Sequence, residues 1–375
     1  MKIAYITAAE ILGPQNTGGI QCCNRNLNLL KQAFGEENIY VCAITKHKEY
    51  LSKTSDNTKV FYSDRKKISI LKNVLRGRLQ FGKDVENAVL QHIEDMGCDV
   101  VFIEFSRMGF FQKRLPDKIK QVLFVHNIEI DYAQHLISEH PSYIVLKLAF
   151  KINEALALRH ADIVMSLNHR DSEKLVQYYD RAPDVIIPIT MDDSFVQSET
   201  DKQINTMSKL QLLFVGSLFP PNESGVTWFA DEVMPYVNAE FTVVGRDFEQ
   251  LRNRLENCHN NVRVIGTVGD LSQYYHDADV IVSPILMGAG MKVKTAEALM
   301  YGKPIFATDE ALEGYEVEGQ DNIYRCNTAQ AFIEAINTYA VNPPFTSFDE
   351  SIRNLFLEKY HTPRYIQVLK KLLIP

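Results

Sequence analysis

Apolar runs of strand length recur along the chain, separated by segments whose apolar residues return every three or four positions. In the first half, "KIAYIT", "NIYVCAIT", "DVVFIEF", "QVLFVHN", "ADIVMSL" and "DVIIPI" predict strands. Between them, "QCCNRNLNLLKQAF", "DVENAVLQHIEDM" and "RDSEKLVQYY" predict helices. A polar segment follows, "QSETDKQINTMSK", with almost no apolar content, and it reads as a linker. The pattern then restarts with "LQLLFVGSL", "EFTVVGR", "NVRVIGTV", "DVIVSPI" and "PIFAT". Continuous apolar strands alternating with helices predict parallel sheets covered on both faces. The expected organisation is α/β, with two doubly wound, Rossmann-like domains at residues 1–197 and 198–350 facing each other across a cleft. Residues 351–375 are expected to form helices packing back towards the first domain. Ligands of such sheets sit at the carboxyl ends of strands.

One of those strand ends carries an odd charge pattern. In "GAGMKVKTAEALMYGKP", residues 288–304, Met291 to Tyr301 predict a helix with Gly302 as its stop. Lys292 and Lys294 then fall in the first turn. A cation there opposes the helix dipole and costs roughly 0.3–1 kcal/mol. Lys294 and Glu297 share a face, but in the less favourable order for an ion pair. Helix stability does not explain the pattern, whereas an anion bound at the helix start does. Phosphate on Lys294 and the backbone amides, with a diol on Glu297, describes the pyrophosphate and ribose of a nucleotide.

The charge balance refines this. The chain of 375 residues carries a net charge of −7. Residues 1–195 hold 25 Lys/Arg against 24 Asp/Glu, and residues 196–375 hold 15 against 23. Seven basic residues and no acidic one lie in "RKKISILKNVLRGRLQFGK", residues 65–83. Read as a helix, this segment has an apolar stripe of Ile68, Leu71, Leu75 and Leu79 with a basic rim. Such a stripe can contact an anionic membrane or simply pack on the first domain. No nucleic-acid motif accompanies it. No apolar run reaches membrane-spanning length, and the opening "MKIAYITAAE" is not expected to act as a signal peptide. Six cysteines without a CxxC pair predict reduced thiols and no zinc site. "DAD" at 277–279 resembles a metal-binding DxD, but it closes a helix and opens a buried strand. The loop also lacks the third glycine of a dinucleotide fingerprint and the Lys-Ser/Thr of a P-loop. Neither a metal nor a cofactor is expected.

"DADVIVSPILMGAGMKVKTAEALMYGKPIFATDEALEGYE" resembles the donor-binding segment of GT-B glycosyltransferases, in particular the retaining family 4. The resemblance extends through "LLFVGSLFPPNESGVTWFADEVMP", "FTVVGR" and "VRVIGTVGDLSQYYHDADV". It is looser in the first domain, in "MKIAYITAAEILGPQNTGGIQCCNRNLNLL" and "LFVHNIEIDYAQH". It implies transfer of a sugar, with retention and without a metal, from a nucleotide sugar (expected to be a UDP-sugar) to a glycan, lipid-linked or protein acceptor. By the same resemblance Glu297 holds the ribose, and Lys294 with the amides of Gly290 and Met291 holds the diphosphate. Gly19 approaches the leaving phosphate, and Val268 and Leu271 flank the base. His126 and Glu129 lie on the acceptor side, with His126 and Lys294 implied as the catalytic residues. An enzyme of this kind is expected in the cytoplasm, with residues 65–83 as a peripheral contact on the inner face of the membrane.

Two positions depart from the family pattern. Ala289 stands where many members have a glutamate that contacts the donor sugar. "GSLFPPNESG" offers Ser217 and Asn222 where many have an Arg and a Lys, so Lys294, with Arg246 or Lys292, must meet the diphosphate charge. Two other activities fit a GT-B chain: a sugar-nucleotide 2-epimerase and a non-catalytic subunit of a glycosyltransferase complex.

Overall fold

A computed structural model describes residues 1–13, 18–64, 73–74, 77–131, 133–134, 144–196, 209–288, 290–341 and 347–374. The chain divides into two compact units, Met1–Pro188 with Tyr365–Pro375, and Ile189–Arg364. The division thus falls before the polar segment at 197–209 rather than within it.

In the first unit, β1 (Ile3–Thr7), β2 (Ile39–Thr45), β3 (Thr58–Tyr62), β4 (Val100–Glu104), β5 (Lys120–Val125), β6 (Ile163–Ser166) and β7 (Val185–Ile186) form one sheet. Its order is β3-β2-β1-β4-β5-β6-β7, and every pairing is parallel. All five residues of β1 and of β4 are buried, as expected of strands covered on both faces. The helices α1 (Gly18–Phe34), α2 (Lys83–Met96), α3 (Gly109–Gln112), α4 (Ile144–His160) and α5 (His169–Tyr179) accompany the strands. α1 buries Cys22, Asn26, Leu29 and Ala33 at helical spacing. Asn168 caps α5, its side-chain oxygen accepting from the Asp171 amide at 2.8 Å.

The second unit repeats the plan. β8 (Leu210–Val215), β9 (Ala239–Val244), β10 (Val262–Gly266), β11 (Val280–Ser283), β12 (Ile305–Ala307) and β13 (Ile323–Arg325) form a parallel sheet in the order β10-β9-β8-β11-β12-β13. Its helices are α6 (Pro220–Glu232), α7 (Arg252–Cys258), α8 (Ser272–Asp277), α9 (Val293–Met300), α10 (Ala329–Val341) and α11 (Glu350–Lys359). Phe229 of α6 is fully buried, with Phe241 of β9 at 4.9 Å and Phe332 of α10 at 5.2 Å between ring centroids. α12 (Thr362–Leu373) follows, and most of it belongs to the first unit. The segment 351–375 is therefore shared: α11 stays with the second unit.

In each sheet the strand order reverses direction at one place, between β1 and β4 and between β8 and β11. Doubly wound sheets bind ligands just beyond the strand ends at such switch points.

Three local expectations need correction. α9 begins at Val293, not Met291, so Lys292 is its N-cap residue and Lys294 its second helical residue. Its stop is as read: Gly302 has φ +60°, its N–H donates to the Leu299 carbonyl, and the Lys303 N–H reaches back to Ala298, both at 3.0 Å. The helix expected across 65–83 does not extend through its end. Residues 77–82 are non-helical, Gly77 has φ +75°, and α2 starts only at Lys83. Arg78 of the supposed basic rim instead pairs with the buried Glu86 at 2.8 Å. Residues 65–72 and 75–76, with Ile68, Leu71 and Leu75 of the stripe, lie outside the described residues. Trp228, which its place in the apolar "VTWFADEVM" predicts to be core, is only half-buried and lines a depression of about 430 Å³ with Pro220, Thr227 and Arg254.

Candidate active site

The second unit's switch point is built from α6, which follows β8, and α9, which follows β11. Lys294 projects from the first turn of α9 onto α6, where its Nζ donates to Asn222 Oδ1 at 2.6 Å. Asn222 is buried, and its Nδ2 donates to the Ser217 carbonyl at 2.7 Å. The Lys294 ammonium also lies over the Phe214 ring, 4.3 Å from its centroid. A methyl group on Gly216 would stand 2.9 Å from Asn222 Nδ2 and 3.1 Å from Lys294 Nζ. Only glycine leaves room for this arrangement. Burial lowers the Lys294 pKa to about 7, with Lys292 adding to the effect and Glu297 opposing it.

Glu297 stands one turn further along α9. Its Oε2 accepts from the Tyr275 hydroxyl at 2.8 Å. Tyr275 is itself buried and stacked on Tyr301 at 4.6 Å. Burial raises the Glu297 pKa, against the Tyr275 hydrogen bond and the Lys294 charge. Lys294 and Glu297 make no ion pair with each other, so each presents its head group from a separate support. Lys292 does not share their role. Its Nζ is held by Glu310 Oε1 and the Gly290 carbonyl, both at 2.6 Å.

The other residues expected at the donor are distributed as follows. Gly290 precedes α9 with φ +67°, and Met291 is buried. Ser217 takes part through its carbonyl, which orients Asn222. Arg246 is exposed and lies 3.4 Å from the neighbouring Asp247 carboxylate. Val268 and Leu271 sit on the segment that leads into α8, the helix that carries Tyr275. Ala289 lies outside the described residues. The carboxylates of "DAD" have structural work: Asp279 accepts from the Gln211 amide at 2.8 Å, and Asp277 from Gln273 at 2.7 Å.

The first unit's switch point gathers a buried polar cluster. His126 follows β5, and its Nε2 is hydrogen-bonded to Glu104 Oε2 at the end of β4. Glu104 also accepts from the Tyr5 hydroxyl at 2.7 Å and from Asn26 Nδ2 at 3.0 Å. The imidazole stacks on Phe105, whose backbone is held at φ +73°, with centroids 4.1 Å apart. Burial works against a charged His126, yet Cys22 and Glu104 hold its pKa well above the ordinary value. Gly19 has ordinary backbone torsions and faces the edge of Phe105, where a methyl group would find it at 3.8 Å. The ligand-type atoms of Cys23, Glu104 and His126 lie within 4.8 Å of one another. Both Glu104 oxygens accept hydrogen bonds, which tie Tyr5, Asn26 and His126 into one buried network.

Glu129 does not join His126 through a hydrogen bond. Its Oε1 accepts from Arg107 at 2.7 Å, its buried Oε2 has no partner, and burial raises its pKa against the Arg107 charge. The adjacent Glu154, pushed up to about 7 by burial, accepts from Ser106, the Glu129 amide and Tyr179. Asn222, Tyr275, Tyr5, Asn26 and Phe105 were not assigned roles from sequence. Only Asn222 left a signal there, as the polar residue opening α6 where a basic one was expected.

Residues 209–342 match the family described as glycosyl transferases group 1. An uncharacterised 44.6 kDa protein in the cps region of Klebsiella pneumoniae is 24% identical over 247 residues. That match covers 60% of this chain and 61% of the relative's length. Sucrose-phosphate synthase of Thermosynechococcus elongatus superposes with a TM-score of 0.72 at 14% identity, covering 99% of this chain and 98% of that one. HepE of Anabaena, in complex with UDP and glucose, gives a TM-score of 0.68 at 17% identity, covering 100% and 99%. Likeness at these identities shows the GT-B fold, and the family match lies within the second unit. The chain therefore has the GT-B fold, and its residues 209–342 resemble the glycosyl transferases group 1.

Proposed function

We propose that the protein moves a sugar from a nucleoside-diphosphate sugar, a UDP-sugar, to an acceptor in polysaccharide or glycoconjugate assembly, without a metal and with retention. The observation that carries this reading is the pair of supported head groups on α9. Asn222 holds Lys294 and Tyr275 holds Glu297, both at the switch point of the second sheet. The spacing suits a diphosphate on the lysine and a ribose on the glutamate. Two relatives support the choice of donor and setting. HepE binds UDP with glucose, and the Klebsiella relative is encoded in a cps region.

The chemistry asks most of the leaving group. Breaking the bond from sugar to diphosphate builds negative charge on the phosphate, and preorganised donors stabilise it. Lys294 and the amides at Gly290 and Met291 take that role. A lysine with a pKa near 7 sheds little hydration when a diphosphate arrives, and it becomes fully charged against it. In the first unit, Glu104 fixes the His126 ring and Phe105 covers one face of it. His126 acts on the acceptor side, and Gly19 leaves room for the leaving phosphate. Glu129 takes a supporting part by orienting Arg107. Val268 and Leu271 flank the base. No described helix is long and apolar enough to cross a membrane. The proposed setting is the cytoplasm, where sugar nucleotides are made.

The test is a thermal-shift screen of sugar nucleotides and free UDP, followed by transfer assays with the best donor. A ligand at 100 times its Kd should add about 2.7 kcal/mol of stability. No stabilisation by any nucleoside diphosphate would remove the donor site. Isomerisation of the donor alone would make the protein an epimerase.

A further inference from the structure

Arg25, on α1, is half-buried and has no carboxylate partner. Its N–H groups go to Asn26 Oδ1 (2.6 and 3.2 Å), to the Pro188 carbonyl and to Cys22 Sγ at 3.1 Å. Its guanidinium also lies 5.6 Å from the centre of the Phe124 ring. Buried cations are normally paired with an anion. Of these partners only the thiol can become one. The other ionisable groups around Cys22 are His126, Glu104, Cys23 and Tyr5. Glu104 is taken up by Tyr5, Asn26 and His126, so the Arg25 guanidinium has no anion of its own, and Cys22 is placed to supply one.

We infer that Cys22 is held as a thiolate and is the chain's reactive cysteine, a modification site for small electrophiles of the hydroperoxide class. The thiolate sulfur attacks one peroxide oxygen; the S–O bond forms and the O–O bond breaks. The leaving oxygen, hydroxide from hydrogen peroxide or alkoxide from an organic hydroperoxide, takes a proton from solvent and departs as water or an alcohol. Sulfur is oxidised by two electrons to a sulfenic acid, and the peroxide is reduced. The new oxygen lies against the imidazole and competes for its hydrogen bond, so oxidation disables His126. A thiol reductant reverses it. The consequence for transfer rests on the acceptor-side role proposed for His126; the thiol chemistry does not.

The neighbouring charges act as this requires. Burial opposes the Cys22 thiolate, but Arg25 and His126 draw its pKa below the ordinary value. Burial instead pushes Cys23 and Cys98 up to about 11 and Cys326 to about 12. Cys258 is the exposed cysteine. Cys22 keeps 7% of its surface accessible.

The experiment is mass-mapped alkylation of the folded protein with iodoacetamide across pH. At a pH of about 6.5, two units below an ordinary thiol, Cys22 should label at least about tenfold faster than Cys258 despite its burial. Faster labelling of Cys258 at every pH, or no labelling of Cys22 before unfolding, overturns the inference. Arg25→Gln should slow Cys22 labelling at that pH about tenfold, one pKa unit, and leave Cys258 unchanged. An unchanged Cys22 rate overturns it too. If that variant does not fold, the wild-type pH profile still decides. After peroxide, dimedone should trap Cys22 in the wild type and not in Cys22→Ser. No adduct at Cys22 refutes the oxidation step.

Discussion

Proton uptake on donor binding tests the second unit's site most directly. Burial lowers the Lys294 pKa to about 7. At a pH of about 8, roughly one free molecule in ten carries the ammonium. A diphosphate set against Nζ favours the charged form and raises its pKa again. Binding at that pH should therefore take up close to one proton, ~0.9 if the charge is fully restored. The terminal phosphate, with a second pKa of about 6, is already ionised and contributes little. Titration calorimetry of UDP in two buffers of different ionisation enthalpy gives the number of protons from the slope of heat against buffer enthalpy. The sign carries over to affinity. A complex that takes up a proton weakens as pH rises, by up to about tenfold per unit between the free and bound pKa values. Stability of the free protein moves the other way. The unfolded lysine keeps its proton to about 10.4 while the folded one loses it near 7, so this group's contribution rises with pH across that window. Lys294→Met is the control and should abolish the uptake. No uptake in the wild type, or equal uptake in the variant, would refute the placement of phosphate on Lys294.

Other outcomes follow from the same supports. Glu297→Ala removes a charged hydrogen bond worth roughly 1.5–3 kcal/mol, so calorimetry should show about 10–100-fold weaker binding of UDP and of the full donor alike; unchanged UDP affinity would sink the ribose role. His126→Ala should leave UDP affinity intact and abolish most transfer, because His126 belongs to the first unit's cluster. A variant that merely melts earlier and transfers normally in the cold would make His126 a core residue. If residues 65–83 contact membrane, the protein should sediment with anionic vesicles and not with neutral ones. Replacing Lys66, Lys67, Lys72 and Arg76 with glutamine should then release it, since each contributes about 1 kcal/mol. Equal sedimentation of the variant argues for a soluble acceptor.

Much of the fold could be read from the chain because central parallel strands are buried on both faces and write themselves as apolar runs. "IAYIT" and "VVFIE" are such runs. The two strands not anticipated, β3 and β13, are both sheet edges. "TKVFY" and "IYR" keep residues partly exposed, so they lack the continuous signal. The candidate site on α9 was half legible. Lys294 and Glu297 stood out as charges misplaced for a helix start. Their supports did not, because Asn222 and Tyr275 come from other helices and meet α9 only through the sheet order. His126 showed as a polar residue ending an apolar strand. Its neighbours Tyr5, Asn26 and Glu104 look like ordinary strand and helix positions until β1, β4 and β5 lie side by side. The basic run at 65–83 misled in part: its charges suggested one surface rim, but Arg78 neutralises a buried carboxylate.

The return of α12 to the first unit sets an order of assembly. All seven strands of the first sheet are synthesised by Ile186. The unit they belong to still waits for Leu369 and Leu373, each 1% exposed, and for the Leu372 carbonyl that accepts from Lys120 at 3.0 Å. The entire second unit is translated in between. During synthesis, therefore, the unit begun first is finished last, and until then it presents an uncovered apolar patch that a chaperone can hold. The same geometry makes the first unit's stability depend on a helix about two hundred residues away along the chain, so damage to α12 should register first at the cluster's own sheet rather than in the second unit.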